Sequence, residues 1–514
     1  MLPMAARTTV FMMSHRRSNP ADRLVAGASK KVHIGPGVVR SAVGFADKDA
    51  GDFGHAVARA AAFGHARAIF DRLVFTAAFR ARHMNRFIVL RAAVCLALSC
   101  CSPLLFHDRA KAGTAAQAGV PSCGPAFSQT GPDAEAYGAA QNYPLGTIMD
   151  RARQAYMVAT FSNYDKLLPA HDVLSPATPS PLARNCDQFS LSYMFGDRRH
   201  TVDDYLSRHP ATGLLIVKDG TILFERYQYG RRDTDRLLSN SMVKTMVAML
   251  VGIAIKDSKI RSIEDLAQDY VPEMKGSAYG GTSLRALLTM SSGVAFSESY
   301  DGKDDLSGLA RDLRRSDLPN AANLLRRFST RAAPPETTFA YASSETEVLG
   351  LVLTAATGKR LSDYLSEKIW QPMGAEDRAT WTVDGHNQEQ AFCCLGARLR
   401  DYARFGLLLA KDGGGVIPES WVIAATTAPP GSFRAPQVAT PFFGYGYQTW
   451  IMPAKRRMFA MLGTNGQAIF VDPASKLGMV HTAVRLKPNK DPAARELTAM
   501  WFGLVRQFGV GAAR

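Results

Sequence analysis

Residues Ser241 to Ile255 read Ser-Met-Val-Lys-Thr-Met-Val-Ala-Met-Leu-Val-Gly-Ile-Ala-Ile, almost unbroken in apolar character after the first turn. A helix that is apolar on every side offers water no face, so it belongs at the centre of a large domain, enclosed by other elements. What surrounds it can be read from the flanks. Upstream, Leu214–Lys218 and Thr221–Phe224 are two apolar runs separated by Asp219-Gly220, the strongest short-range signal for a β-hairpin. Downstream, helical patterns fit Ser262–Tyr270, Ser283–Met290, Glu345–Thr357, Leu361–Trp370 and Leu399–Lys411. The last third returns to strands at Tyr445–Ile451, Met458–Leu462, Gln467–Val471 and Gly478–Val484. Strands early, helices in the middle and strands late predict an α/β (α+β) domain over 151–514, with one antiparallel sheet built from both chain ends and flanked by a mainly helical region.

The charge is distributed unevenly. Of the 61 Lys+Arg and 45 Asp+Glu that give the 514-residue chain its charge of +16, residues 1–110 hold 16 Lys+Arg, 6 Asp and no Glu. That is +10 in the leader and +6 in the rest. A nucleic-acid surface needs its cations on the folded domain, interleaved with aromatics or along a helix, so no nucleic-acid partner is expected. From Met84 the leader reads as a secretory signal: Arg86 and Arg91 precede an apolar stretch from Ala92 to Phe106, and Ala110-Lys111-Ala112 provides an Ala-x-Ala site. The stretch is too short for a membrane span, which takes about 20 residues. Leu98-Ser99-Cys100-Cys101 also resembles a bacterial lipoprotein cleavage site, which would leave a lipid anchor at Cys100 or Cys101. The expectation is an exported protein, periplasmic or secreted, with 84–112 as its signal. The basic Ala/Arg/Gly-rich 1–83 is then an over-extended start that is not translated, or alternatively an organelle-type leader. Residues 113–150, rich in Gly, Pro, Ala, Ser and Gln, read as a flexible lead-in.

Outside the leader the cysteines are Cys123, Cys186, Cys393 and Cys394, which permit three pairings between which the sequence does not choose. No Cys-x-x-Cys occurs and no His joins them at ligand spacing, which argues against a zinc site. No metal or cofactor is expected.

Among motifs that carry chemistry, Gly-x-Ser-x-Gly, His-Glu-x-x-His and a phosphate-cradling Gly-rich loop with its Lys are all missing. Ser241-Met242-Val243-Lys244 is the one Ser-x-x-Lys in the chain, and it opens the apolar helix. A spacing of three places both side chains on one helical face. A serine hydroxyl is a weak nucleophile until a base takes its proton. A lysine is such a base only when neutral, and an apolar helix supplies the desolvation that favours the neutral amine. The helix N-terminus in addition favours a developing oxyanion. An N-cap serine followed by a snorkelling surface lysine would have the same spelling, so the tetrapeptide alone leaves both readings open.

Further motifs favour the chemical reading. Tyr341-Ala342-Ser343 lies 100 residues after Ser241 and leads into a helix. Leu287-Leu288-Thr289-Met290-Ser291-Ser292-Gly293, Trp370-Gln371-Pro372-Met373-Gly374, Arg400-Asp401-Tyr402-Ala403-Arg404-Phe405-Gly406 and Leu462-Gly463-Thr464-Asn465-Gly466-Gln467 follow in order. Over about residues 155–512 the chain resembles the β-lactamase/penicillin-binding-protein-like serine hydrolases, in particular the class C-like branch of esterases and 6-aminohexanoate-dimer hydrolase. The resemblance implies a transpeptidase-like fold and a Ser-Lys-Tyr catalytic set. Ser241 would be acylated, Lys244 would take its proton, and Tyr341 would relay protons with a phenol pKa lowered by the neighbouring ammonium. The backbone N–H groups of Ser241 and Thr464 would form the oxyanion hole, with Gly463 letting the backbone approach substrate. Ser343 and Tyr300 would contact substrate, and loops such as Glu298–Asp317 and Asp384–Phe392 would form the pocket walls.

The chain departs from the β-lactamase pattern at the third motif: no Lys-Thr-Gly exists, and the strand where it belongs reads Met461-Leu462-Gly463. The missing cation removes a charge-assisted contact to a substrate carboxylate. It points from β-lactams toward a small-molecule ester or linear amide, cleaved through an acyl-enzyme. The alternatives are a β-lactamase or D-amino-peptide hydrolase, and a non-catalytic binding or sensor module on the same fold.

Overall fold

The Asp-Gly hairpin forms as its sequence predicts. In the computed structural model, which describes residues 123–427, 444–487 and 491–511, Asp219 and Gly220 take φ 46° and 82°. Positive φ at both central residues is the turn geometry that matches the right-handed twist of two strands. The leader, its signal-like segment and residues 428–443 lie outside the described residues.

The hairpin is the seed of a nine-stranded sheet. Its strands are β1 (Ala126–Phe127), β2 (Ala183–Arg184), β3 (Ala211–Lys218), β4 (Thr221–Tyr227), β5 (Gly444–Tyr445), β6 (Trp450–Ile451), β7 (Phe459–Gly463), β8 (Gln467–Asp472) and β9 (Leu477–Ala483). They run in the order β1-β4-β3-β9-β8-β7-β6-β5, with β2 beside β4. The join between the two chain ends is the antiparallel pairing of β3 with β9, in which Val480 faces Leu215 and Met479 faces Ile216. From β4 to β5 the order is antiparallel throughout, and the short β1 and β2 run parallel to β4. A sheet of both chain ends is therefore observed.

Why β3 is a continuous apolar run, not an alternating one, is clear from its neighbours. Leu215 and Val217 face a core shared with helices α1 (Val243–Lys256), α2 (Leu284–Leu288), α3 (Ser343–Thr357) and α4 (Leu399–Ala410). Leu214 and Ile216 face a second core, closed by Met500, Trp501 and Leu504 of the C-terminal helix α5 (Pro492–Phe508). A strand covered on both faces has no polar side to show. Helix α1 is buried from Val243 to Ala254, as its composition requires. Gly252 sits where α1 meets Trp421: a Cβ there would lie 2.3 Å from the indole, whose Nε1–H donates to the Ala248 carbonyl at 3.0 Å. Gly252→Ala, favourable by helix propensity alone, is expected to destabilise the fold by about 1–3 kcal/mol through overpacking, measured as a lower urea midpoint.

Three expectations are corrected. Of the expected lead-in 113–150, residues 113–122 lie outside the described residues and 123–150 are packed against the sheet. Tyr137 and Tyr143 are buried against Tyr229, the Tyr137 hydroxyl donates to the Val484 carbonyl at 2.7 Å, and Cys123 is disulfide-bonded to Cys186. Small residues and prolines there follow the sheet edge, and three aromatics anchor the segment. Ser262–Tyr270 forms turns and one 3-10 turn, Ala267–Asp269, instead of an α-helix, because Asp265 and Asp269 accept from the N–H groups of Ser262 and Leu266 in competition with helical bonds. Within the expected Glu298–Asp317 loop, Asp305–Leu313 is helical, capped by Asp304 accepting from Ser307 N–H at 2.9 Å. No helix among the described residues is long and apolar enough to cross a membrane.

Candidate active site

Ser241 is placed by a turn squeezed between two strands. Ser239 exchanges hydrogen bonds with Leu395: its N–H donates to the Leu395 carbonyl at 2.7 Å and its Oγ accepts from Leu395 N–H at 3.1 Å. Asn240 then adopts φ 44°, a left-handed conformation uncommon for a residue with a side chain and frequent at functional sites. The chain enters a 3-10 turn, Asn240–Met242, that runs into α1, so Ser241 stands at the positive end of a buried helix.

One turn later Lys244, 1% exposed, brings its Nζ to 2.8 Å from Ser241 Oγ. The Nζ also donates to the Phe392 carbonyl at 2.9 Å and lies over the rings of Tyr341 and Phe392, 5.1 and 5.7 Å from their centroids. Burial lowers the Lys244 ammonium from 10.5 to about 8, against the pull of the Glu298 and Glu347 carboxylates, which favour the charged form. The snorkelling reading of this lysine is thereby excluded.

Tyr341 lies close enough to Ser241 for the serine hydroxyl to act on its phenol. Its ring stacks on Trp450 at 5.7 Å and meets Tyr445 edge-on at 6.2 Å. The expected lowered phenol pKa is not found. Burial, seconded by the Glu298 carboxylate, pushes it above the usual tyrosine value, and the Ser241 hydrogen bond only partly offsets this. Lys244 Nζ lies over the Tyr341 ring, 5.1 Å from its centroid, and the burial that surrounds both groups outweighs any lowering of the phenol by the ammonium. The shift favours the neutral phenol over the tyrosinate.

The turn after β7 closes the third side. A Cβ on Gly463 would fall 2.5 Å from the Ser239 carbonyl oxygen, so only glycine lets this strand approach the nucleophile's turn. Asn240 Nδ2 donates to the Thr464 carbonyl at 2.9 Å, tying the two expected oxyanion-hole residues, Ser241 and Thr464, into one unit. Behind the turn, His481 Nδ1 donates to the Gly466 carbonyl at 2.6 Å while its Nε2 accepts from the Tyr205 hydroxyl. Burial holds this imidazole neutral.

Ser343 and Tyr300 are brought together on one carboxylate. Both hydroxyls donate to Glu298 Oε1, Ser343 at 2.9 Å, and Ser343 N–H donates to Oε2 at 2.6 Å. Ser343 is 1% exposed and braces the carboxylate. Glu298 is the residue the sequence reading missed. It lies in an aperiodic loop segment, Phe296-Ser297-Glu298-Ser299-Tyr300, and nothing in its spacing to Ser241 or Tyr341 marks it. Among the described residues no group of three or more His, Cys, Asp or Glu side chains is placed to hold a metal ion.

The chain is 26% identical over 359 residues to the 6-aminohexanoate-dimer hydrolase of Paenarthrobacter ureafaciens, a match covering 67% of this chain and 87% of that one. The solved structure of a Bacillus anthracis protein described as a 6-aminohexanoate-dimer hydrolase superposes with a TM-score of 0.61 at 24% identity, covering 70% of this chain and 95% of its own. Residues 199–499 match the Beta-lactamase family, and this span holds Ser241, Lys244, Tyr341, Glu298 and Thr464 together. A match over more than half its length shows that this chain belongs to the beta-lactamase family, as a hydrolase of its transpeptidase-like fold.

Proposed function

We propose that the protein hydrolyses carboxylic esters or linear amides of small molecules through an acyl-enzyme on Ser241. The observation that carries this is the 2.8 Å approach of a buried lysine amine to the serine oxygen. A neutral Lys244 has two N–H groups and one lone pair. One N–H is held by the Phe392 carbonyl, which leaves the lone pair for the Ser241 proton. As the serine oxygen attacks the acyl carbon, the charge that develops on the carbonyl oxygen would be met by the Ser241 N–H at the start of α1 and the Thr464 N–H in the turn after β7. Tyr341 donates its proton to the departing amine or alcohol. Water then repeats the sequence on the acyl-enzyme, with the bases and acids exchanging roles.

The substrate class rests on what stands at β7. No cation occupies the Met461-Leu462-Gly463 strand, and the neighbouring Arg485 is turned to the Tyr205 hydroxyl and the Ala493 carbonyl. A substrate without a carboxylate at that position is favoured. That the family relative from Paenarthrobacter is named for hydrolysis of an amide dimer supports the linear-amide arm. Two disulfides, Cys123–Cys186 and Cys393–Cys394, support an oxidising, exported location.

A fluorophosphonate probe is expected to label the wild-type protein and not Ser241→Ala. Complete absence of labelling would instead favour a binding module. Side-by-side turnover of p-nitrophenyl esters and nitrocefin tests the substrate class: ester turnover is expected to dominate, and fast nitrocefin hydrolysis with inert esters overturns the assignment.

A further inference from the structure

The carbonyl that holds Lys244 belongs to an unusual stretch of chain. Phe392 is followed directly by Cys393 and Cys394, which are disulfide-bonded to each other, with their Cα atoms 3.7 Å apart. Cys394 takes φ 73°, in the left-handed region where a residue with a side chain is disfavoured. The ring closed by the bridge includes the peptide bond between the two residues, so the bridge restrains the backbone at the point where it turns. The turn sends the Phe392 carbonyl inward to Lys244 Nζ, and it sends Leu395 outward to pair with Ser239, two residues before the nucleophile.

The strap from 390 to 395 is fastened elsewhere along its length. Ala391 N–H donates to the buried Glu347 carboxylate at 2.9 Å. The Gln390 and Cys393 carbonyls accept from Trp381 Nε1, and Thr382 donates to the Cys394 carbonyl. Phe392 lies between these fastenings, and its carbonyl is the one that the catalytic amine uses. Cys393 is half-buried and Cys394 is buried.

We propose that the Cys393–Cys394 disulfide is a positioning element for Lys244, and that its reduction to two thiols slows turnover by releasing the Phe392 carbonyl from the amine. The inference rests on the Ser-Lys reading of the site. With one N–H no longer fixed, the amine is free to rotate its lone pair away from Ser241. Misplacement of a reacting group by an ångström costs up to about a hundredfold in rate. The bridge acts through the position of the amine, so the loss falls on kcat.

The test uses a water-soluble phosphine. Phosphorus gives two electrons and takes the oxygen of water to become the phosphine oxide, the S–S bond breaks, and each sulfur receives one electron and one proton. To remove the distant bridge from consideration, the Cys123→Ser/Cys186→Ser variant is treated alongside the wild type, and free thiols at Cys393 and Cys394 are verified by peptide mass. Rates are expressed per active site titrated with fluorophosphonate, so unfolded protein does not count. Reduction is expected to lower kcat about 10- to 100-fold with KM within about twofold, and reoxidation with oxidised glutathione to restore it. Cys393→Ala/Cys394→Ala, with the first bridge intact, is expected to show the same loss and no further response to phosphine. If the variant lacking the first bridge does not fold, reduction of the wild type compared with this alanine pair decides the matter. Unchanged kcat in protein whose Cys393 and Cys394 are both free thiols overturns the proposal, as does a change confined to KM. An inactive Lys244→Met variant together with that result leaves the Ser-Lys reading standing, whereas a fully active Lys244→Met variant removes both.

Discussion

Lys244→Met lowers kcat by about 10²–10⁴-fold, the range for removal of a general base, and leaves KM within a few-fold. Methionine is the informative replacement because it fills the volume of the lysine stem and keeps α1 packed without an amine. Alanine would leave a cavity beneath Ser241 and confound chemistry with collapse. The pH dependence carries the assignment further. Burial places the Lys244 ammonium at about 8, and only the neutral form has a lone pair for the serine proton. The sign follows: kcat/KM of the wild type falls about tenfold per pH unit below that value and levels off above it. In Lys244→Met the inflection near 8 disappears along with most of the rate. A residual activity that keeps the same inflection would assign the base to another group, and full activity would remove the lysine from the mechanism. Stopped-flow acylation with a p-nitrophenyl ester across pH 6–10 reads both quantities in one experiment.

The parts of this site that the sequence announced are those set by local spacing. Ser241 and Lys244 share a helical face because they are three residues apart, and the buried helix guarantees desolvation of the amine before any tertiary detail is known. The Asp219-Gly220 turn and the strands on either side of it are local in the same sense. Tyr341 was legible only through its resemblance to a family motif, since a hundred residues separate it from Ser241 and no periodicity links them. Its protonation state was not legible at all. That state depends on burial of the phenol and on Glu298, which the Glu298–Tyr300 loop brings in from a third part of the chain. The C-terminal helix Pro492–Phe508 escaped notice although its pattern is amphipathic, and with it went the reason why β3 is apolar on both faces. The vicinal Cys393–Cys394 pairing was one of three arithmetically open choices, settled by a backbone turn that pattern reading does not reach.

Tyr341→Phe separates the two roles open to the phenol. The substitution keeps the ring that stacks on Trp450 and meets Tyr445 edge-on, so the pocket wall and the fold are preserved and only the hydroxyl is lost. If the phenol is a proton donor, the role that burial of the neutral form favours, the cost depends on the leaving group. An amine departing from a linear amide must be protonated as the C–N bond breaks, and acylation is expected to slow by about 10²–10⁴-fold. A p-nitrophenolate leaves as a stabilised anion and needs no proton, so ester acylation is expected to slow by less than about tenfold, leaving mainly the loss of one hydrogen bond to Ser241. Measured as burst rates, so that deacylation does not mask the step, the two substrates should therefore diverge in the variant. A tyrosinate acting as the base for Ser241 predicts the opposite pattern, because the serine proton must be removed whichever group departs: both substrates would slow alike. Equal losses would thus return the base role to Tyr341, while divergence leaves Lys244 as base and Tyr341 as acid, the division of labour that burial of both groups, one pushed down and the other up, already favours.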